Sequence, residues 1–225
     1  MRLRITFSKE GSLRYSGHLD LQQIWERTAR RACLPLKYTQ GFHPGPRIQI
    51  ACALPLGFIG CAEVVDLWLD VPVGAPLDVS QAGDRLQFAA PPGLTILRTE
   101  QVDDQSPALQ TQVAAAEYNV TLLESVPGDC PEPFEGLDAW VSGVLEAGSL
   151  LRERRGKTYD LRPLILSLEH CTASLKMILS AREGATGRPE EVLAVMGIPS
   201  PNIRVERTRL IFKDGGTSSP EGKTQ

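Results

Sequence analysis

The side chains of this sequence best equipped for chemistry stand between Arg14 and Ile48, in the run RYSGHLDLQQIWERTARRACLPLKYTQGFHPGPRI. Arg27, Arg30, Arg31, Lys37 and Arg47 are cations able to contact phosphates and release their counterions. Tyr38 and Phe42 can stack on a base, although Phe42 is also the kind of residue that fills a core, and Gln40 and His43 add polar groups to the same loop. His18 and Asp20 form a candidate acid–base pair, but Asp20 is equally suited to capping a helix that begins there. No complete catalytic motif accompanies these residues, so the chemistry expected is recognition of an anion rather than bond breaking, with His18, Asp20 and His43 the candidates if a reaction occurs.

Charge distribution points the same way. The chain has 225 residues and a net charge of -3. Residues 1 to 50 hold nine Lys/Arg against three acids, so a surplus of six positive charges is followed by a deficit of nine in the remainder. A basic segment in an otherwise acidic chain suits RNA or another phosphate-bearing partner. The plain alternative is a solvated helix face balanced by acids elsewhere in the fold.

These residues need a helix and a loop to hold them. From His18 to Leu34 the apolar positions Leu21, Ile24, Trp25, Thr28 and Ala32 fall on one helical face, with Ser16 or Asp20 as cap and Pro35 as the stop. Arg27, Arg30 and Arg31 then share a second face, where Glu26 can pair with Arg30. The loop QGFHPGP, Gln40 to Pro46, is kept irregular by two glycines and two prolines. Before the helix, Leu3, Ile5 and Phe7 alternate with Arg2, Arg4 and Thr6 as a half-buried strand. After the loop, strands are expected over 48–56 and 63–71, a helix over 76–86 and a strand over 94–102. The order is β-α-β-β-α-β, a ferredoxin-like pattern, for a first module of residues 1–102.

Residues 103–114 are polar and read as a linker, and the same order recurs over 115–213. Strands are expected at 118–123, 161–170, 175–181 and 203–212, with helices at 137–145 (Leu137, Trp140, Val141, Val144 and Leu145 inward) and 189–196. The fold class expected is therefore α+β, with tandem ferredoxin-like (βαββαβ) modules. In the second module Arg152, Arg154, Arg155, Lys157 and Arg162 either extend the basic track, Arg162 being the candidate anion contact, or form a solvated turn. The tail 214–225 is rich in Gly, Ser, Thr and Pro and is expected to be disordered.

Several functions are disfavoured by composition. The five cysteines are widely spaced with no C-x-x-C pair, which suits free thiols in a cytoplasmic protein. His18, His43 and His170 show no ligand spacing, so neither a metal site nor a bound cofactor is expected. No apolar run approaches the roughly 18 residues of a membrane span, so no membrane association is expected. G-x-G-x-x-G and P-loop motifs are missing, which leaves Gly41, Gly45 and Gly57 as turn residues.

The ordered set His18-Leu19-Asp20, Glu26-Arg27, Arg30-Arg31-Ala32, Leu34-Pro35, Gln40-Gly41-Phe42, Pro44-Gly45-Pro46-Arg47 and Leu54-Pro55-Leu56-Gly57 resembles the radical SAM-linked proteins, a domain of unknown function. Tyr159-Asp160-Leu161-Arg162-Pro163-Leu164-Ile165 and Arg188-Pro189-Glu190-Glu191-Val192-Leu193 extend that resemblance over nearly the whole chain. The resemblance implies an accessory to a radical SAM protein, with an RNA-binding or substrate-presenting role in RNA metabolism. This chain lacks C-x-x-x-C-x-x-C, so radical SAM chemistry would belong to the partner. Two other expectations stand beside it: a metal-independent endoribonuclease, by fold-level analogy with CRISPR repeat-processing enzymes, and a protein-binding scaffold.

Overall fold

The computed structural model describes residues 1–72, 77–122, 137–154, 156–171, 174–198 and 203–218. Expectations that fall on Pro76, Leu123, Cys130, Arg155 and residues 219–225 lie outside the described residues. The chain is mixed α+β, with mostly antiparallel strand pairing and five α-helices among the described residues. It divides into two compact units, Met1–Val113 with Thr208–Gln225, and Ala114–Arg207.

Unit 1 contains β1 (Arg2–Lys9), α1 (His18–Arg31), β2 (Ile48–Ile50), β3 (Ile59–Trp68), α2 (Val79–Ala89) and β4 (Leu94–Val102). Its strands lie in the antiparallel order β4-β1-β3-β2. Alternation along β1 separates two faces. On one, Leu3, Ile5 and Phe7 are fully buried with Leu21, Trp25 and Ala29 of α1, and with Ala82 and Leu86 of α2. The Trp25 ring meets Phe7 edge-on, centroids 4.8 Å apart.

The opposite face is not the solvated one that the Arg2, Arg4 and Thr6 pattern suggests. Arg2 is buried, and Arg4 stands directly across from Asp66 of β3, which has no exposure. Arg2 reaches the Asp66 carboxylate at 2.6 Å and Arg4 reaches it at 2.9 Å. The Arg2 guanidinium also donates to the carbonyls of Ser106 (2.7 Å) and Pro107 (3.0 Å). The polar stretch expected as a linker is thereby held on unit 1, where α3 (Leu109–Gln112) buries Leu109 completely. The unit boundary accordingly falls at Val113, and β5 (Val113–Leu122) leads into unit 2.

Unit 2 adds α4 (Leu137–Glu146), β6 (Leu151–Arg154), β7 (Lys157–Asp160), β8 (Ile165–Cys171), β9 (Ser174–Arg182), β10 (Ala185–Thr186) and α5 (Pro189–Val195). Strand β9 pairs antiparallel with β5, β8 and β10, while β6 and β7 form a separate hairpin. Along β11 (Ile203–Phe212) the chain passes back into unit 1. The first residues of the expected disordered tail are ordered instead. The Ser218 hydroxyl accepts from the Leu210 amide (2.7 Å), and the Phe212 amide donates to the Gly216 carbonyl (2.8 Å), folding 214–218 back on β11.

Element bounds moved for local reasons. Helix α1 stops at Arg31 because Cys33 takes φ 51°, the left-handed position after a helix end, with Leu34 and Cys33 amides donating to Ala29 and Arg30 carbonyls, each at 3.0 Å. β2 ends at Ile50, well short of Leu56, as the chain turns through Pro55 and Gly57 (φ 85°) to let the Gly57 amide donate to Arg14. β8 starts at Ile165 because Pro163 sits in a 3-10 turn over Arg162–Leu164. Trp140, expected inward on α4, is 53% exposed.

Replacing Asp66 with Asn leaves the buried Arg2 charge without its counterion, and should cost roughly 3–5 kcal/mol by chemical denaturation. Breaking the exposed Arg98–Glu100 pair by Arg98→Ala should cost about 0.5 kcal/mol or less in the same measurement.

Candidate nucleic-acid interface

The outward side of α1 carries the basic residues because the inward side is taken by Leu21, Trp25, Thr28 and Ala29. Arg27 and Arg31, four residues apart and both exposed, are neighbours on that outward side. Arg30 lies beside them but is engaged: it pairs with Glu26 at 2.6 Å and donates to the Tyr38 hydroxyl at 2.9 Å. That second bond ties α1 to the loop that follows.

The loop is a short hairpin. Lys37 and Arg47 share a backbone bond at 2.8 Å, Tyr38 bridges to Pro46, and Thr39 and Gly45 close the top through 2.8 Å and 3.1 Å bonds. Beyond that closure Gln40, Gly41, Phe42, His43 and Pro44 are all exposed. Gly41 has φ 137°, which a side chain would resist. Phe42 is 102% exposed, so it contributes nothing to a core. Arg47 is exposed, yet its guanidinium lies over the Trp68 ring at 4.6 Å, with Arg2 over the same ring at 4.7 Å.

Partners reduce the apparent basic surplus of the first fifty residues. Arg2 and Arg4 share the Asp66 carboxylate, which offsets one of their two charges, and the buried Lys9 ammonium donates to the Ser16 carbonyl at 2.8 Å. Arg14 stacks on and hydrogen-bonds Tyr15. Among the described residues, Arg27, Arg31 and Lys37 are the cations of this segment whose charged ends meet no partner. Sequence reasoning missed Arg85 of α2, which donates to the Cys33 carbonyl at 2.6 Å and adds another cation at the end of α1. It also missed Trp68, whose signal, an aromatic at a strand end beside arginines, is faint.

The acid–base candidates do not come together. Asp20 accepts the Gly17 amide at 3.0 Å, a capping bond across the first turn, while the Ser16 hydroxyl donates to Leu13. His18 is exposed. By helix geometry it lies about half a turn around the axis from Arg27 and about 13 Å along it. His43 is at the hairpin tip, and among the described residues neither histidine has a carboxylate to orient it. Arg162, the candidate in unit 2, is consumed structurally: its guanidinium donates to Leu145 at 2.8 and 3.1 Å and to Ile165 at 3.1 Å. Of the neighbouring basic residues, Arg152 on β6 is paired to Glu191 at 2.9 Å.

Among the described residues no group of three or more His, Cys, Asp or Glu is arranged to hold a metal ion. No described helix is long and apolar enough to cross a membrane. Among the described residues of α1 and its hairpin there are cations able to meet an anion, and His18, Asp20 and His43 are not assembled as an acid–base pair.

The protein these features describe is a mixed α+β chain with a basic helix face beside an aromatic-tipped hairpin. It belongs to the DUF2344 family, uncharacterized protein conserved in bacteria, whose pattern matches residues 2–189. No curated protein matches it. Among solved structures it is similar to a chain in the crystal structure of a Cbf5-Nop10-Gar1 complex, at 11% identity and TM-score 0.43, covering 92% of this chain and 48% of that one.

Asp160 holds the turn before Arg162 by accepting the Leu150 amide (2.8 Å) and the Arg162 amide (3.0 Å). Those two backbone bonds, the larger from Leu150, keep its pKa below the ordinary carboxylate value. Its stabilising contribution is thus complete above about pH 3.9 and lost as pH falls through the folded-state value. Urea unfolding of wild type and Asp160→Asn should differ most near neutrality, and the difference should shrink as pH falls below the ordinary carboxylate range.

Proposed function

We propose that this chain is a non-catalytic, RNA-binding accessory of a cytoplasmic radical SAM enzyme, built as tandem ferredoxin-like modules, with α1 and its following hairpin as the RNA surface. The observation that carries the RNA part is the Arg27–Arg31 pair, exposed and unneutralised on the helix whose Arg30 is bonded to the hairpin bearing Lys37, Arg47 and an exposed aromatic tip. Cations left without partners on a folded surface favour a polyanion, because each phosphate they neutralise releases counterions. Support for the accessory role is the resemblance of the ordered motifs from His18 to Gly57, and support for the tandem is the recurrence of the element order in the two units. An endoribonuclease finds less support, since His18 and Asp20 are not arranged as a pair.

The test is binding of bulk transfer RNA measured by fluorescence anisotropy across a salt series. Wild type should bind at low salt and weaken steeply as salt rises. Arg27→Ala with Arg31→Ala should weaken binding and lower the slope of log K against log salt by about 2. Absent or salt-independent binding overturns the assignment.

A scaffold role is favoured by a different observation, the exposure of Tyr15 (62%), Leu19 (72%) and Leu56 (63%) near the start of α1. Gly57 links two of these segments through its bond to Arg14. Partner capture that survives ribonuclease treatment and is lost in Leu19→Ser would favour that second assignment.

A further inference from the structure

The hairpin tip is more specific than a patch of charge. Phe42 stands fully in water at the end of a loop whose legs are pinned by the Thr39–Gly45 and Tyr38–Pro46 pairings. Pro44 fixes φ on the far side of the ring, and Gly41 supplies the φ of 137° that the turn before it needs. The Tyr38 hydroxyl is held by Arg30, so the base of the loop is fixed to α1. The ring therefore stays out where a ligand can meet its face, rather than folding against the core.

Its surroundings say which ligand. Lys37 and Arg47 flank the legs, and Arg27 and Arg31 lie on the helix to which Tyr38 is tied, within about 14 Å of chain from Phe42 to Tyr38. An apolar flat face at the end of a hairpin whose legs carry exposed cations is complementary to a nucleobase carried on a phosphate chain. In a duplex the base faces are hidden by stacking and the RNA major groove is too deep and narrow for a side chain, whereas unpaired bases offer their faces. We propose that the tip is a stacking site for an unpaired nucleotide, Phe42 taking the base and Lys37 and Arg47 the adjoining phosphates, so that the substrate class is RNA with single-stranded segments. This rests on the RNA-binding assignment above.

The experiment compares a dye-labelled oligouridine of about a dozen nucleotides with a blunt RNA duplex of equal length, by anisotropy at low salt. Wild type should prefer the single strand. Phe42→Ala should weaken single-strand binding about tenfold, leave duplex binding and the salt slope unchanged, and leave stability unchanged because the ring is solvent-exposed. Phe42→Trp should retain affinity, and its added fluorescence should be quenched by the oligonucleotide. Wild-type affinity in Phe42→Ala, or equal binding of duplex and single strand, overturns the stacking site while leaving a general RNA surface standing. If wild type binds neither RNA, both the stacking site and the assignment beneath it fall.

Discussion

The Asp66 carboxylate has no exposure to water, and two guanidinium groups face it. Desolvating a carboxylate is costly enough that the arrangement persists only with both partners in place. Their geometry sets much else in unit 1. Arg4 is opposite Asp66 in the β1–β3 register, and Arg2, two residues earlier, extends past it to the carbonyls of Ser106 and Pro107. Arg2 also lies over Trp68, against which Arg47 rests from the hairpin. A buried ion cluster is thus connected, through one aromatic ring, to a leg of the loop proposed to meet RNA.

Elements with a strong period were legible from sequence. The apolar stripe of α1 and the bounds of β4 and β11 follow from local pattern, because periodic burial leaves a periodic sequence. What pattern could not show was which polar side of a strand is covered. Arg2, Arg4 and Thr6 look like a solvated face, and only the long-range partner Asp66, together with the carbonyls of 106 and 107, converts that face into interior. The same contact explains why a polar stretch that resembles a linker belongs to unit 1. Residues 214–218 differ from the expected disorder for a related reason: the Ser218 hydroxyl and the backbone bonds between Ser218 and Leu210 and between Phe212 and Gly216 fold a Gly-rich turn back on a strand.

Legibility of the site was uneven. The cations were visible as residue types, but their availability depends on partners that sequence spacing does not reveal beyond the helical Glu26–Arg30 pair. Arg30, Arg47 and Arg162 are each occupied to a different degree, by an ion pair, by an aromatic ring and by main-chain carbonyls. Phe42 shows the opposite limit. A phenylalanine between glycine and histidine gives no periodic sign of inside or outside, and its exposure follows from loop closure.

That closure has a mechanical consequence. Below the tip the Thr39 amide donates to the Gly45 carbonyl and the Gly45 amide to the Thr39 hydroxyl, so the five residues 40–44 are separated from the sheet by a clasp. Insertions or exchanges above the clasp alter reach and chemistry without disturbing the Lys37–Arg47 register or the buried ions beneath. The tip is thus mechanically separate from its mount: strain or contact in residues 40–44 is taken up at the clasp before it reaches the folding core.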